Sequence, residues 1–276
     1  MKTKKTVNQK LKRIFLSLLL PAAMTASVTC NAQDNSGIPP HQMRVASYNI
    51  QHGMGMDNQL NYKRIAEVLK AISPDVVAVQ EVDSMTQRTN NTYSLGEIAE
   101  QLNYHASYAP AIDFEGGKYG IGILSRERPI SVRQYALPGT EEARTLLVAE
   151  FDDFVFASTH LSLTEADRMA SIGIIEEVAK KSGKPFVVAG DLNAQPDSPF
   201  IRQFEEKFQI CSGKQKSWPA DKPTECLDYI AAYKRKSAGK NGKGGAQQPA
   251  VTLFSDVLNT QASDHRPIVA ELVLPR

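Results

Sequence analysis

Short apolar runs recur along this chain, and nearly every one stops at a side chain that resists burial alone. The run around Val45 ends at Asn49. The run Asp75-Val76-Val77-Ala78-Val79 leads to Gln80-Glu81. A third leads to Ser158-Thr159-His160, and a fourth to Gly190-Asp191-Leu192-Asn193. Asp228 sits in Leu227-Asp228-Tyr229-Ile230, and Asp264 with His265 precedes the last run in Ser263-Asp264-His265-Arg266-Pro267. Runs of four to eight β-prone residues read as buried strands. A carboxylate or imidazole at the end of such a strand is unfavourable unless it is paired or bound to a cation. If these ends converge, the fold contains one cleft with oxygen-rich walls.

The same reading gives strands over 43–50, 75–82, 119–125, 145–151, 154–160, 186–189, 227–232 and 268–274. Helical spacing of apolar residues gives helices over 62–72 (stopped by Pro74), 95–102, 165–181 (closed by Gly183) and 199–208. Strands outnumber helices, and the strand–helix alternation breaks in the middle of the chain. This argues for an α/β (α+β) fold of mixed sheets with helices outside, not a simple doubly wound sheet. With 42% hydrophobic residues, the 276-residue chain can bury a large core.

The first 32 residues are of a different kind. Lys2, Lys4, Lys5, Lys10, Lys12 and Arg13 precede an apolar run, Ile14 to Ala23, and small residues follow up to Ala32. This is the layout of a secretory signal peptide, with an h-region too short to span a bilayer comfortably. Two processing routes are open: cleavage after Ala32, releasing a protein for the periplasm or the exterior, or lipidation of Cys30. The former is favoured, because Thr29 stands where a lipidation site usually has Gly, Ala or Ser. Residues 33–41 read as a linker, and 42–276 as one domain with no later transmembrane segment, expected to act as a monomer. Within it, 234–249 is a Gly/Lys-rich insertion, a surface loop or a basic flap beside Asp228.

Export changes the charge. The whole chain has 32 basic and 30 acidic residues; the six basic and no acidic residues of 1–32 leave 26 against 30, a net −4. A protein that clamps long nucleic acid usually carries a basic excess, and this one has none overall. Without Cys30, the cysteines reduce to Cys211 and Cys226, which form either a disulfide or two separate thiols. No zinc-type cysteine spacing exists, so the oxygen-rich set suits a hard cation such as Mg²⁺. Two histidines near acids suit proton handling or charge stabilisation at a phosphate.

In their order, Asn49-Ile50-Gln51, Gln80-Glu81-Val82, Ser158-Thr159-His160-Leu161, Gly190-Asp191-Leu192-Asn193, Leu227-Asp228-Tyr229-Ile230 and Ser263-Asp264-His265-Arg266-Pro267 resemble the motifs of the endonuclease/exonuclease/phosphatase superfamily. The likeness covers about residues 43–274. It implies a four-layer α/β/β/α sandwich of two packed mixed sheets, and a metal-dependent hydrolase of phosphoesters, foremost phosphodiesters, using Mg²⁺ or Mn²⁺. It further implies Glu81 as main metal ligand, helped by Asn49 and Asp264. Asp191 would orient or deprotonate the attacking water with Asn193 beside the phosphate, and Asp228 would hold His265; the base is either Asp191 or His265. His160 resembles the two-histidine branch of deoxyribonucleases and sphingomyelinases, and Gln51 departs from the repair enzymes, which carry an aspartate there. Arg144 resembles a phosphate-binding arginine or forms a surface salt bridge; Tyr119 lines the cleft or packs. The implied substrates are nucleic acid or a small phosphodiester, with a phosphomonoester or a phospholipid as alternatives. A non-catalytic binding module on the same fold is the alternative of another class.

Overall fold

A computed structural model describes residues 41–235 and 249–275. The expected signal peptide, Cys30 and nearly all of the linker lie outside the described residues, as does most of the Gly/Lys-rich insertion.

Among the described residues, twelve strands form two six-stranded mixed sheets. In chain order they are β1 (His41–Asn49), β2 (Val76–Ser84), β3 (His105–Phe114), β4 (Gly117–Ser125), β5 (Ser131–Leu137), β6 (Arg144–Glu150), β7 (Val155–His160), β8 (Phe186–Asp191), β9 (Phe208–Ile210), β10 (Asp228–Tyr233), β11 (Val251–Val257) and β12 (Ile268–Leu274). One sheet has the order β11-β12-β1-β2-β4-β3 and the other β5-β6-β7-β8-β10-β9. Four α-helices accompany them: α1 (Tyr62–Ile72), α2 (Ser94–Leu102), α3 (Glu165–Lys181) and α4 (Pro199–Lys207). The expected four-layer sandwich of two packed mixed sheets is the fold observed. No helix among the described residues is long and apolar enough to cross a membrane.

Alternation along the strands produces the layers, because successive side chains in a strand face opposite ways. Val45, Val76, Ala78, Ile123, Leu147, Phe156, Val187, Ile230 and Leu272 interdigitate between the sheets. Ala46, Val77 and Val79 face the other way, against Ile65 and Leu69 of α1 and Leu95 and Ile98 of α2. Ala157, Val188 and Ala231 meet Ile172 and Ile175 of α3 and Phe200 and Phe204 of α4. Helix ends follow local chemistry. Asn61 caps α1 by accepting from the Arg64 amide at 2.9 Å, and Ser198 caps α4 from the Ile201 amide with Pro199 at the first turn. The expected helix over 199–208 is one residue shorter: Phe208 turns extended and starts β9.

Strand direction places the site. β1 and β2 are parallel, as are β7 and β8, so their C-terminal ends lie together within each sheet. β4 runs antiparallel to β2, β6 to β7, β10 to β8 and β12 to β1. Their N-terminal ends therefore return to the same edge. The expected site residues obey this rule: Asn49, Glu81, His160 and Asp191 lie at or near the ends of their strands, while Arg144 and Asp228 begin theirs and His265 lies just before β12.

Candidate active site at the sheet edge

Glu81 reaches the cleft through a break in alternation. Regular pleating would put Val77, Val79 and Glu81 on the helix-covered face. Pairing between β2 and β4 shifts register between Val79 and Val82, and Glu81 takes a left-handed φ of 56°, which a non-glycine residue rarely adopts. The extra residue of this bulge returns Val82 to the apolar face with Val77 and Val79 and releases the carboxylate. Bulges commonly re-aim a side chain in this way. Asn193 is likewise left-handed, at φ 50°.

The side chains from the two sheets meet. Asn49 Nδ2 donates to Glu81 Oε1 at 2.9 Å and to Asp191 Oδ2 at 3.2 Å, so this buried carboxamide bridges the sheets. Asp191 Oδ2 also lies 3.6 Å from His160 Nε2 and 3.7 Å from His265 Nε2. Its Oδ1 accepts from the Asn193 amide at 2.9 Å, and Asn193 Nδ2 donates to the Leu161 carbonyl. His265 Nδ1 is 2.9 Å from Asp228 Oδ2, an oxygen that also accepts from Ser217 Oγ. Ser263 Oγ donates to the Asn49 carbonyl at 2.8 Å and to Asp264 Oδ1 at 3.2 Å, joining Asp264 to the group. Arg144 lines a narrow crevice with Tyr119 and His160. It is only 8% exposed and is paired with Glu141 and Glu142 at 3.2 Å each. The arginine is thus a buried ion-pair partner, not a surface one, and its Nε has no partner.

Electrostatics divide these groups. Burial raises the Glu81 carboxyl to about 7; the Asn49 hydrogen bond opposes that shift, and Asp264 and Asp191 add to it. Burial drives His160 down to about 4, against the pull of Asp191, which keeps it neutral near neutral pH. For His265, burial alone would lower the value, yet the Asp228 carboxylate holding Nδ1 outweighs it and the imidazole is raised to about 10. The two histidines facing Asp191 therefore differ in charge. Burial, then the nearby Glu81 carboxylate, pushes the Tyr119 phenol up.

Two donor sets could take a metal ion. Ligand atoms of Asp191, Asp228 and His265 lie within 4.8 Å of one another. In that trio, however, Asp228 Oδ2 is already occupied by His265 and Ser217. Glu81 offers a second set with Asp264 and Asp191: hard carboxylate oxygens, near enough that the two aspartates add to the rise burial gives the Glu81 carboxyl, an imbalance a divalent cation would relieve. Asn49 Nδ2 donates to Glu81 and Asp191 of this set, and its Oδ1 accepts from the Gln51 amide at 3.2 Å.

Every residue expected at the site from sequence lies at this edge. Sequence reasoning missed Ser217, Trp218 and the Glu141–Glu142 pair, which lie in irregular segments without periodicity. Ser263 stood inside a quoted motif and could have been read as a hydroxyl donor. Cys211 and Cys226 are both buried and unpaired, so of the two arrangements the sequence left open the structure has two separate thiols.

No curated protein matches the sequence. Among solved structures, an endonuclease/exonuclease/phosphatase from Bacteroides vulgatus superposes with a TM-score of 0.69 at 18% identity, covering 85% of this chain and 100% of its own. One from Beutenbergia cavernae gives 0.65 at 21% identity, covering 84% and 72%. A mannosyl-6-phosphatase from Bacteroides thetaiotaomicron gives 0.64 at 17% identity, covering 84% and 99%. At such identities these likenesses establish the fold, whereas the profile of the Endonuclease/Exonuclease/phosphatase family matches residues 46–265 of the sequence itself. The chain belongs to the endonuclease/exonuclease/phosphatase family.

Proposed function

We propose that this protein is an exported, divalent-metal-dependent hydrolase that cleaves phosphodiester bonds by in-line attack of water. The observation that carries the reading is the position of Asp191, within 3.7 Å of the Nε2 atoms of both His160 and His265 and bridged through Asn49 to Glu81. An acid, a neutral imidazole and a charged imidazole around one point suit a reaction that both moves a proton and builds negative charge. The pattern of residues 1–32 supports export.

The residues divide the work as follows. Asp191 orients the attacking water and accepts its proton, with Asn193 holding the carboxylate through its backbone amide. The charge that Asp228 maintains on His265 favours that residue as a donor to the phosphoryl oxygens and Asp191 as the base. His160, neutral, donates its one ring N–H to the same oxygens. Arg144 adds positive potential from the crevice wall, reduced by its two glutamate partners. Glu81, steadied by Asn49, and Asp264 would hold Mg²⁺ or Mn²⁺, which when bound offsets phosphate charge as a Lewis acid.

The mannosyl-6-phosphatase likeness favours a second reading, a phosphomonoesterase. The test is turnover of bis-p-nitrophenyl phosphate against p-nitrophenyl phosphate, with Mg²⁺ or Mn²⁺ and with chelator. Metal-dependent cleavage of the diester supports the proposal, preference for the monoester supports the second reading, and no turnover of either with any metal leaves a binding module. DNA, sphingomyelin and sugar phosphates at equal metal then select the natural substrate class.

A further inference from the structure

The stretch from Ser217 to Glu225 has no helix or strand, yet it is fastened to the β10–β12 side of the cleft. Ser217 Oγ donates to Asp228 Oδ2, and the Ser217 carbonyl accepts from the Arg266 amide at 2.8 Å. The Ala220 amide donates to the Asp264 carbonyl at 2.7 Å, and Arg266 Nε returns to the Ala220 carbonyl at 2.6 Å. Trp218 is pinned between them: its amide donates to the Glu225 carbonyl at 3.1 Å, and its carbonyl accepts from the Thr224 and Glu225 amides at 2.8 Å each. The segment is a strap that crosses the cleft wall and is anchored at both ends.

The indole of Trp218 is aimed at the site. Nε1 donates to Asp264 Oδ2 at 3.4 Å, and the ring centroid lies 6.4 Å from that of His265 at an interplanar angle of 46°. Ser263 Oγ donates to the other oxygen, Oδ1. Asp264 Oδ1 thus shares the single Ser263 hydroxyl proton with the Asn49 carbonyl, while Oδ2 has the indole N–H of the strap as its donor.

We propose that Trp218 is a positioning residue, whose indole N–H sets the Asp264 carboxylate for the divalent cation. The proposal rests on the metal-dependent reading above. Donors behind a ligating carboxylate fix its direction, and removing such a partner commonly weakens metal affinity by about tenfold or more.

Trp218 is the single tryptophan of the chain, so selectively excited fluorescence reports on this position alone. Two measurements on the full chain test the proposal: Mn²⁺ binding followed through the paramagnetic resonance of the free ion, and Mn²⁺ quenching of Trp218 emission. The expected result is saturable quenching in the wild type, with a midpoint equal to the Kd from resonance. Trp218→Phe, which keeps an aromatic ring and loses the N–H, is expected to bind Mn²⁺ about tenfold more weakly while melting as the wild type does. Wild-type affinity in Trp218→Phe would overturn the positioning role, whatever the quenching. Mn²⁺ binding with a flat emission titration would overturn it too, because the ion would then lie elsewhere. If Trp218→Phe does not fold, the wild-type titration decides: a saturable quench that Glu81→Gln abolishes supports the proposal, and a flat one refutes it. No Mn²⁺ binding to the wild type at all would sink the metal-dependent reading itself, a different failure.

Discussion

Among single residues, Glu81 has the least comfortable place. Its carboxyl is raised to about 7 by burial and by Asp264 and Asp191. A carboxyl that holds its proton more tightly in the folded chain than in the unfolded one favours the fold at low pH. That contribution fades as pH rises from the ordinary value of 4.5 through about 7. Proton and cation compete for the same oxygens, so metal affinity should weaken as pH falls through about 7. Glu81→Gln keeps the shape and removes the charge. The metal-free variant should therefore melt above the wild type on the alkaline side of that value and should gain nothing from Mg²⁺; melting curves with and without the ion check both, and a retained Mg²⁺ response would remove Glu81 from the metal site. His265 is the counterpart. Its charge depends on Asp228 at 2.9 Å, and Asp228→Asn should return the imidazole toward neutrality. Turnover should then fall by about 10²–10⁴-fold, the usual worth of such a group. Imidazole resonances followed against pH are the independent check, since a His265 that still titrates far above an ordinary histidine in Asp228→Asn would contradict the assignment.

At the scale of elements, what the sequence disclosed depended on burial. The strands read correctly from apolar runs were β1, β2, β4, β6, β7, β8, β10 and β12, and all are interior to their sheets. Those missed were β3, β5, β9 and β11, the four sheet edges. An edge strand is flanked on one side only and keeps a weaker pattern. β5 and β11 are exposed at alternate or successive positions, β3 contains Pro110, and β9 is three residues long. The site residues were legible because they interrupt interior strands. The strap was not, because its importance lies in long-range hydrogen bonds that no local pattern records. One interior position is tighter than its sequence suggests. A Cβ added at Gly190 would lie 1.9 Å from the Thr159 carbonyl oxygen, where β7 and β8 pair one residue before His160 and Asp191. Backbone cannot swing aside as a side chain can, so Gly190→Ala should part the two strands. The expected loss is about 1–3 kcal/mol, the usual range for overpacking, together with most of the turnover. Denaturant unfolding beside an activity assay would test this, and a variant with normal stability and turnover would show the strand pair to be more compliant than its geometry.

For the molecule as a whole, the site belongs to both sheets. Asn49 and Glu81 come from one, His160, Asp191 and Asp228 from the other, and Asn49 hydrogen-bonds across to Asp191. Behind them lies one continuous apolar layer contributed by both sheets, so separating the sheets would dismantle the core and the site together. A cation bound among these oxygens should therefore stabilise the entire sandwich, not a local loop. By mass action, a ligand at about 100 times its Kd contributes about 2.7 kcal/mol if it binds only the folded state. For a domain of this size about 1 kcal/mol moves Tm by roughly 2–4 °C, so saturating Mg²⁺ or Mn²⁺ should raise the melting temperature by roughly 5–10 °C. The rise should occur in a single transition, reverse with chelator, and reach the amides of β1, β2, β7 and β8 alike when followed by hydrogen exchange. Protection confined to the strands of one sheet would mean that the ion binds on that sheet alone, and the bridging role given to Asn49 would fall with it.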